Sequence, residues 1–210
     1  MSIEIQAAAK EPKRERGKQR VAALIDAGAD LFAEKGYEAT TMTEIASRAG
    51  AAIGSLYQFF PSKEALAEAV FDRFAERWAK SFAQVEARAP GRSARELGDL
   101  FIDHKLRQRT DRDAAIALST AVAGIVERRK PLGDALRGRI AAILSAGNPA
   151  LGRDEAAAAA VIVNQVMKMI PALASTDDES AAALVGEARK LLALYIDEVL
   201  RRSGGRRPLK

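Results

Sequence analysis

Apolar residues along this chain recur at i, i+3, i+4 and i+7 in one segment after another, and no run shows the alternation of a strand. That period confines the chain to an all-α fold, and the breaks between segments set the number of helices. They fall at Gly36, Gly50, Pro61, Pro90-Gly91, Pro131, Asn148-Pro149 and Gly204-Gly205. The helices expected between them cover 17–35, 42–49, 53–60, 63–89, 93–109, 111–129, 132–146, 153–174 and 178–202, about nine in all. No repeat of 20–50 residues is evident.

The first helix carries Val21, Leu24, Ile25, Gly28, Leu31 and Phe32 on one stripe, with Gly36 placed as its C′ residue. Thr41 can cap the next helix, and Glu44 completes a capping box three residues on. That helix is short, with Ile45 and Ala46 turned inward, and it stops at Gly50. A second short helix, with Leu56, Tyr57 and Phe60, ends against Pro61. Ser62 caps the long helix that follows. Pro171 suggests a kink or an early end to the helix over 153–174.

Composition closes several chemistries. There are no cysteines, which excludes disulfides, thiolate catalysis and cysteine-bound zinc. A single histidine, His104, excludes multi-histidine metal sites and leaves little for a nucleophilic triad. No Gly-rich phosphate loop is present, so neither an enzyme nor a cofactor is expected. No run of about 18 uninterrupted apolar residues predicts a membrane span. The N-terminal stretch has charge but no apolar core, so no secretory signal is read and a cytoplasmic, membrane-free location is expected.

The net charge is +5. Residues 10–20 hold +4 and residues 201–210 hold +5, leaving −4 for the body. The basic excess therefore sits in two tails, expected to be a flexible arm (1–16) and a flexible tail (204–210). The arm can follow a minor groove, as basic arms do, or simply be solvated; the tail is assigned nothing.

Two short helices joined at a glycine have helix-turn-helix geometry. Spacing alone leaves an ordinary helical hairpin open, within a helical interaction module or a helical enzyme. The residues narrow this. Thr40-Thr41-Met42-Thr43-Glu44-Ile45-Ala46-Ser47-Arg48-Ala49-Gly50, then Ile53-Gly54-Ser55-Leu56-Tyr57, Phe60 and Lys63 through Leu66, resemble the DNA-binding region of the TetR family of transcriptional regulators. The resemblance covers about residues 17–70.

It implies an N-terminal three-helix DNA-binding domain (17–64), then a larger helical bundle for ligand binding and dimerisation (65–203), linked by helix 63–89. It also implies that 53–60 is a recognition helix entering the major groove. Tyr57 and Lys63 would contact phosphates, as would Thr41, Thr43 and Arg48. Gly54 would permit close approach, while Ser55 and Gln58 read base edges. Where many members carry a polar cap and a basic residue, this chain has Ala52 and Ile53. Ala52 cannot cap, a loss of about 1 kcal/mol, and Ile53 can meet a thymine methyl.

The bland alternatives are that Tyr57 is core and that Lys63 is a solvated lysine, electrostatically misplaced at a helix start. His104 is read first as a satisfied core residue. Its functional alternative is a ligand pocket with Phe101, Ser119, Val122, Asn164, Met167 and Lys168. The expected partners are double-stranded operator DNA, a small, largely apolar effector and a second copy of the chain. Dimerisation is expected through 153–174 and 178–202, with Leu184, Val185, Leu191, Leu192, Leu194, Tyr195, Val199 and Leu200 supplying apolar area. A repressor is expected over an activator.

Overall fold

The structure is a computed structural model that describes residues 15–107, 109–175 and 178–202. The expected tail lies outside these residues, as does all of the basic arm but its last two positions. Nine helices and no strand occur among the described residues: α1 Glu15–Ala39, α2 Met42–Arg48, α3 Ile53–Phe59, α4 Lys63–Arg88, α5 Ala94–Leu106, α6 Arg109–Ala121, α7 Ala123–Gly147, α8 Arg153–Leu173 and α9 Asp178–Arg201.

One expected boundary is wrong. The chain breaks at Val122 rather than at Pro131, and Pro131 lies inside α7. Pro131 is exposed, so water can reach the carbonyl its missing N–H leaves unpaired. Val122 instead is buried, its N–H bonding the Leu118 carbonyl at 2.9 Å and its own carbonyl accepting from Ile125 at 3.0 Å. α8 runs through Pro171 and ends just beyond it at Leu173.

The chain forms two compact units. The first runs to Arg77 and includes Thr110–Lys130; the second comprises Trp78–Arg109 and the chain from Pro131. α4 and α7 each contribute to both.

In the first unit, Leu24, Leu31 and Phe32 of α1 are buried with Ile45, Leu56, Phe60 and Leu66. Gly28 permits a close approach: a Cβ there would lie 3.3 Å from Leu66 Cδ2. α1 continues past Gly36, whose φ of 80° interrupts the helix in the left-handed region that glycine tolerates. Thr40 secures the break, its hydroxyl donating to the Gly36 carbonyl at 2.8 Å.

In the second unit α5 packs on α8 and α9. Arg189 of α9 ties the crossing, bonding Asp99 at 2.7 Å and Asp103 at 2.6 Å. α8 is the one helix among the described residues long and apolar enough, by length and composition, to cross a membrane. Its buried stripe of Ala156, Ala159, Ala160, Val163, Met167 and Ile170 faces protein, as a bundle helix requires.

Candidate nucleic-acid interface

α2 begins with the expected capping box. The Thr41 amide and hydroxyl donate to Glu44 Oε2 at 2.9 and 2.8 Å, and the Glu44 amide donates to Thr41 Oγ1 at 3.3 Å. Lys35 Nζ adds a bond to Glu44 Oε1 at 2.5 Å. The lysine and the two Thr41 donors hold the Glu44 carboxyl down at about 2. The Thr41 side chain is thus committed to the cap. Thr43 is exposed.

Arg48 closes α2 onto α1, its two guanidinium nitrogens bonding Glu34 at 2.8 and 2.9 Å. The turn to α3 passes through Gly50 at φ 61°. There the Ala51 amide bonds the Ala46 carbonyl at 2.9 Å. A β-branched side chain would be strained at that φ.

α3 starts at Ala52 without a side-chain cap, as the sequence requires. It buries Leu56 and exposes Ile53 (42%), Gly54, Tyr57 (50%) and Gln58, with Ser55 half-buried. Tyr57 is therefore not core. A Cβ at Gly54 would meet nothing within 4 Å, so packing within the chain does not demand glycine there.

Lys63 turns out to have a local role that its sequence position did not suggest. Nζ lies 2.9 Å from the Tyr37 carbonyl, 3.2 Å from that of Thr40 and 3.4 Å from that of Glu38. It also sits 4.2 Å from the centroid of the Tyr37 ring. The lysine at the start of α4 thereby satisfies carbonyls where α1 ends. Beside it, Tyr37 donates its hydroxyl to Glu64 at 2.8 Å. Burial pushes that phenol well up, and the tyrosine bond lowers Glu64.

Arg20 was missed by sequence reasoning. It lies near the start of α1, and its Nη1 donates to Ser55 Oγ at 3.3 Å. The sequence signal was only its place in a basic run, which reads equally well as a solvated arm.

The residues expected to form a ligand pocket fall in both units. Phe101 and His104 join an aromatic cluster with Trp78 and Phe82: Phe82 stacks on Phe101 at 6.2 Å and meets His104 edge-on at 5.2 Å. Arg139 lies 4.8 Å over Phe82 and is held by Glu86 at 2.5 and 2.7 Å. His104 is 2% exposed, with Nδ1 2.9 Å from Ser81 Oγ. Burial, with smaller contributions from Lys105, Arg107 and Arg139, brings its pKa down to about 4.

Asn164 and Met167 are buried on α8 in the same unit, and Asn164 Oδ1 has no hydrogen-bond partner. Lys168 is a correction: it lies on the exposed side of α8, because the buried positions there are 163, 164, 167 and 170. Ser119 and Val122 are buried in the first unit, and the Ser119 hydroxyl donates to the Ile116 carbonyl at 2.8 Å. No group of three or more His, Asp or Glu able to hold a metal occurs among the described residues.

Residues 24–70 match the family described as "Bacterial regulatory proteins, tetR family", and residues 90–195 match "Tetracyclin repressor-like, C-terminal domain". The chain belongs to the TetR family. The family consists of regulators, not enzymes, which removes the helical-enzyme alternative. The HTH-type transcriptional repressor KstR2 of Rhodococcus jostii is 47% identical over 51 residues, 24% of this chain and 25% of that protein. The HTH-type transcriptional repressor ComR of Escherichia coli is 39% identical over 70 residues, covering 32% and 33%. The chain therefore matches about a quarter to a third of the length of these curated relatives. The fold extends further. A transcriptional regulator (TerR/AcrR family) from Aquifex aeolicus superposes with a TM-score of 0.67 at 19% identity, over 83% of this chain and 98% of that one.

Proposed function

We propose that this TetR-family chain is a DNA-binding transcriptional repressor that works as a homodimer and leaves a palindromic operator when a small, largely apolar molecule binds. The observation that carries the DNA-binding reading is the outer face of α3. Ile53, Gly54, Tyr57 and Gln58 stand exposed on one short helix whose inner residue Leu56 is fully buried. An isoleucine and a glycine that the fold itself does not need there suit a surface that closes on the edge of a base pair.

Ser55 and Gln58 are assigned to base edges and Ile53 to a thymine methyl. Gly54 allows close approach, and the Tyr57 hydroxyl and Thr43 take phosphates. Arg48 and Lys63 we assign first to holding the motif. Lys63 would reach a phosphate only by releasing the end of α1, and Arg48 only with the charge of Glu34 beside it. Thr41 likewise contributes through its cap.

One recognition helix reads few base pairs, so a two-fold pair on successive major grooves about 34–36 Å apart is required. α8 and α9 supply a surface for it. Val161, Ile162 and Met169 of α8 and Leu184, Leu191 and Leu194 of α9 are exposed, Leu194 at 70%. Leu192 and Val199 are buried in the protomer's own core and drop out of the expected interface. The effector is assigned to the second unit, near Phe101, His104, Asn164 and Met167, where the unpaired Asn164 amide oxygen can accept one polar bond. Its binding would act by favouring one of two states that differ in DNA affinity. Such a repressor works in the cytoplasm.

The test is a fluorescence-anisotropy titration against DNA upstream of the chain's own gene, at two salt concentrations with competitor DNA. Competitor-resistant binding at two protomers per site, or a multiple of two, is expected. Binding that vanishes with modest salt and shows no sequence preference would overturn the reading.

A further inference from the structure

Three observations converge on Arg20. The sequence of α3, Ile53 through Phe59, contains no charged side chain, so any cation beside it on the DNA must come from another element. The other cations of the motif are paired or committed: the charges of Lys35 and Arg48 are neutralised by Glu44 and Glu34, and Lys63 holds three carbonyls. Arg20 is exposed, and its bond to Ser55 Oγ leaves the other guanidinium donors open. The third observation is Ser55 itself. Ser119 and Thr120 turn their hydroxyl protons onto carbonyls of the preceding turn, at 2.8 and 3.0 Å. Ser55, in the first turn of α3, has no helical turn before it to bond; its Oγ accepts from Arg20 instead.

We infer that Arg20 is a positioning residue for base reading: it holds the Ser55 hydroxyl as a donor and brings a positive charge beside the recognition helix. A hydroxyl has one proton and two lone pairs. A guanidinium on one lone pair directs the proton outward and strengthens it as a donor. The matching partners on the major-groove edge are acceptors: purine N7, guanine O6 or thymine O4. The amino groups of cytosine and adenine offer only a donor and are disfavoured opposite this serine. The remaining guanidinium donors are placed to meet a backbone phosphate. This inference rests on the DNA-binding reading above.

The test uses the full chain and a duplex enriched from a random pool by the wild-type protein. Anisotropy titrations then run on that duplex and on versions changed at each position, with Arg20→Met, Ser55→Ala and the double variant. Both single variants are expected to flatten discrimination at the same base pair of each half-site by about tenfold, and the double variant to flatten it no further. Arg20→Met should also weaken binding to every duplex and lower the salt dependence by about one ion per protomer. Arg20→Lys, which keeps a charged donor, should retain most of the discrimination. An Arg20→Met protein that melts like wild type and keeps full discrimination at the Ser55 position would overturn the inference, whatever its uniform loss of affinity. A wild-type protein that enriches no duplex would instead overturn the DNA-binding reading itself.

Discussion

Arg48 and Glu34 meet through two parallel hydrogen bonds, at 2.8 and 2.9 Å, joining the last residue of α2 to the outer side of α1. The arginine holds the Glu34 carboxyl below the usual carboxylate range. The pair competes with any phosphate that approaches Arg48. Glu34→Gln should therefore tighten operator binding about threefold, with the larger gain at low salt. Both side chains are exposed, so the melting temperature should shift by no more than about 3 °C. Unchanged affinity across a salt series would show that Arg48 does not reach the DNA.

Gly54 separates folding from binding. Nothing surrounds its missing side chain, and alanine suits a helix better than glycine. Gly54→Ala should raise stability by about 0.5 kcal/mol in denaturant unfolding. The same methyl should obstruct the close approach of the duplex and cost about tenfold in affinity. A variant with wild-type binding would remove Gly54 from the interface.

Lys63→Met should act in the opposite way. It strips three carbonyls at the end of α1 of a charged donor in a half-buried setting. A loss of about 1–2 kcal/mol in chemical denaturation is expected, with a DNA defect no larger than the loss of fold explains. A normally stable variant with a reduced salt slope would return Lys63 to the phosphate backbone.

His104 predicts a pH dependence. Its pKa is about 4 in the folded chain, below the ordinary 6.5, so between those values the unfolded chain binds a proton that the folded chain refuses. Stability should thus fall as pH drops from about 6.5 to 4, at up to about 1.4 kcal/mol per unit. The lowered carboxylates, such as Glu44 at about 2, begin to lose their contribution near their ordinary 4.5, at the bottom of that window, and lose the rest below it. His104 is the chain's one histidine, so His104→Gln should flatten the profile between pH 4.5 and 6.5 in thermal melts.

Leu194 tests the dimer. Placing a carboxylate at this exposed α9 position, as Leu194→Glu, should yield monomers in light scattering at micromolar concentration. Operator affinity should fall about a hundredfold, because two linked half-sites become independent. A dimeric variant with wild-type affinity would place the interface elsewhere.

Much of the first unit was legible in the chain. Thr41 and Glu44 stand at capping-box spacing, Gly36 and Gly50 fall where positive φ is needed, and Leu24, Gly28 and Leu31 recur at helical intervals. These are local signals, carried by residues a turn apart. The break at Val122 was not legible, because the proline rule points to Pro131 and says nothing about whether its freed carbonyl can reach water. Lys168 was misplaced for a related reason: an apolar helix such as α8 does not declare which of its sides is buried.

The sequence by itself determined an all-helical chain with a helix-turn-helix near its start, since period, caps and turn residues act over four or five positions. Tertiary structure alone decided the partners of the charged groups around the helix-turn-helix. Arg48 finds Glu34 across 14 positions, Lys63 finds the end of α1 across 23 to 26, and Arg20 finds Ser55 across 35. Long flexible side chains take their partners from whatever folding brings within reach, and no local pattern encodes that distance.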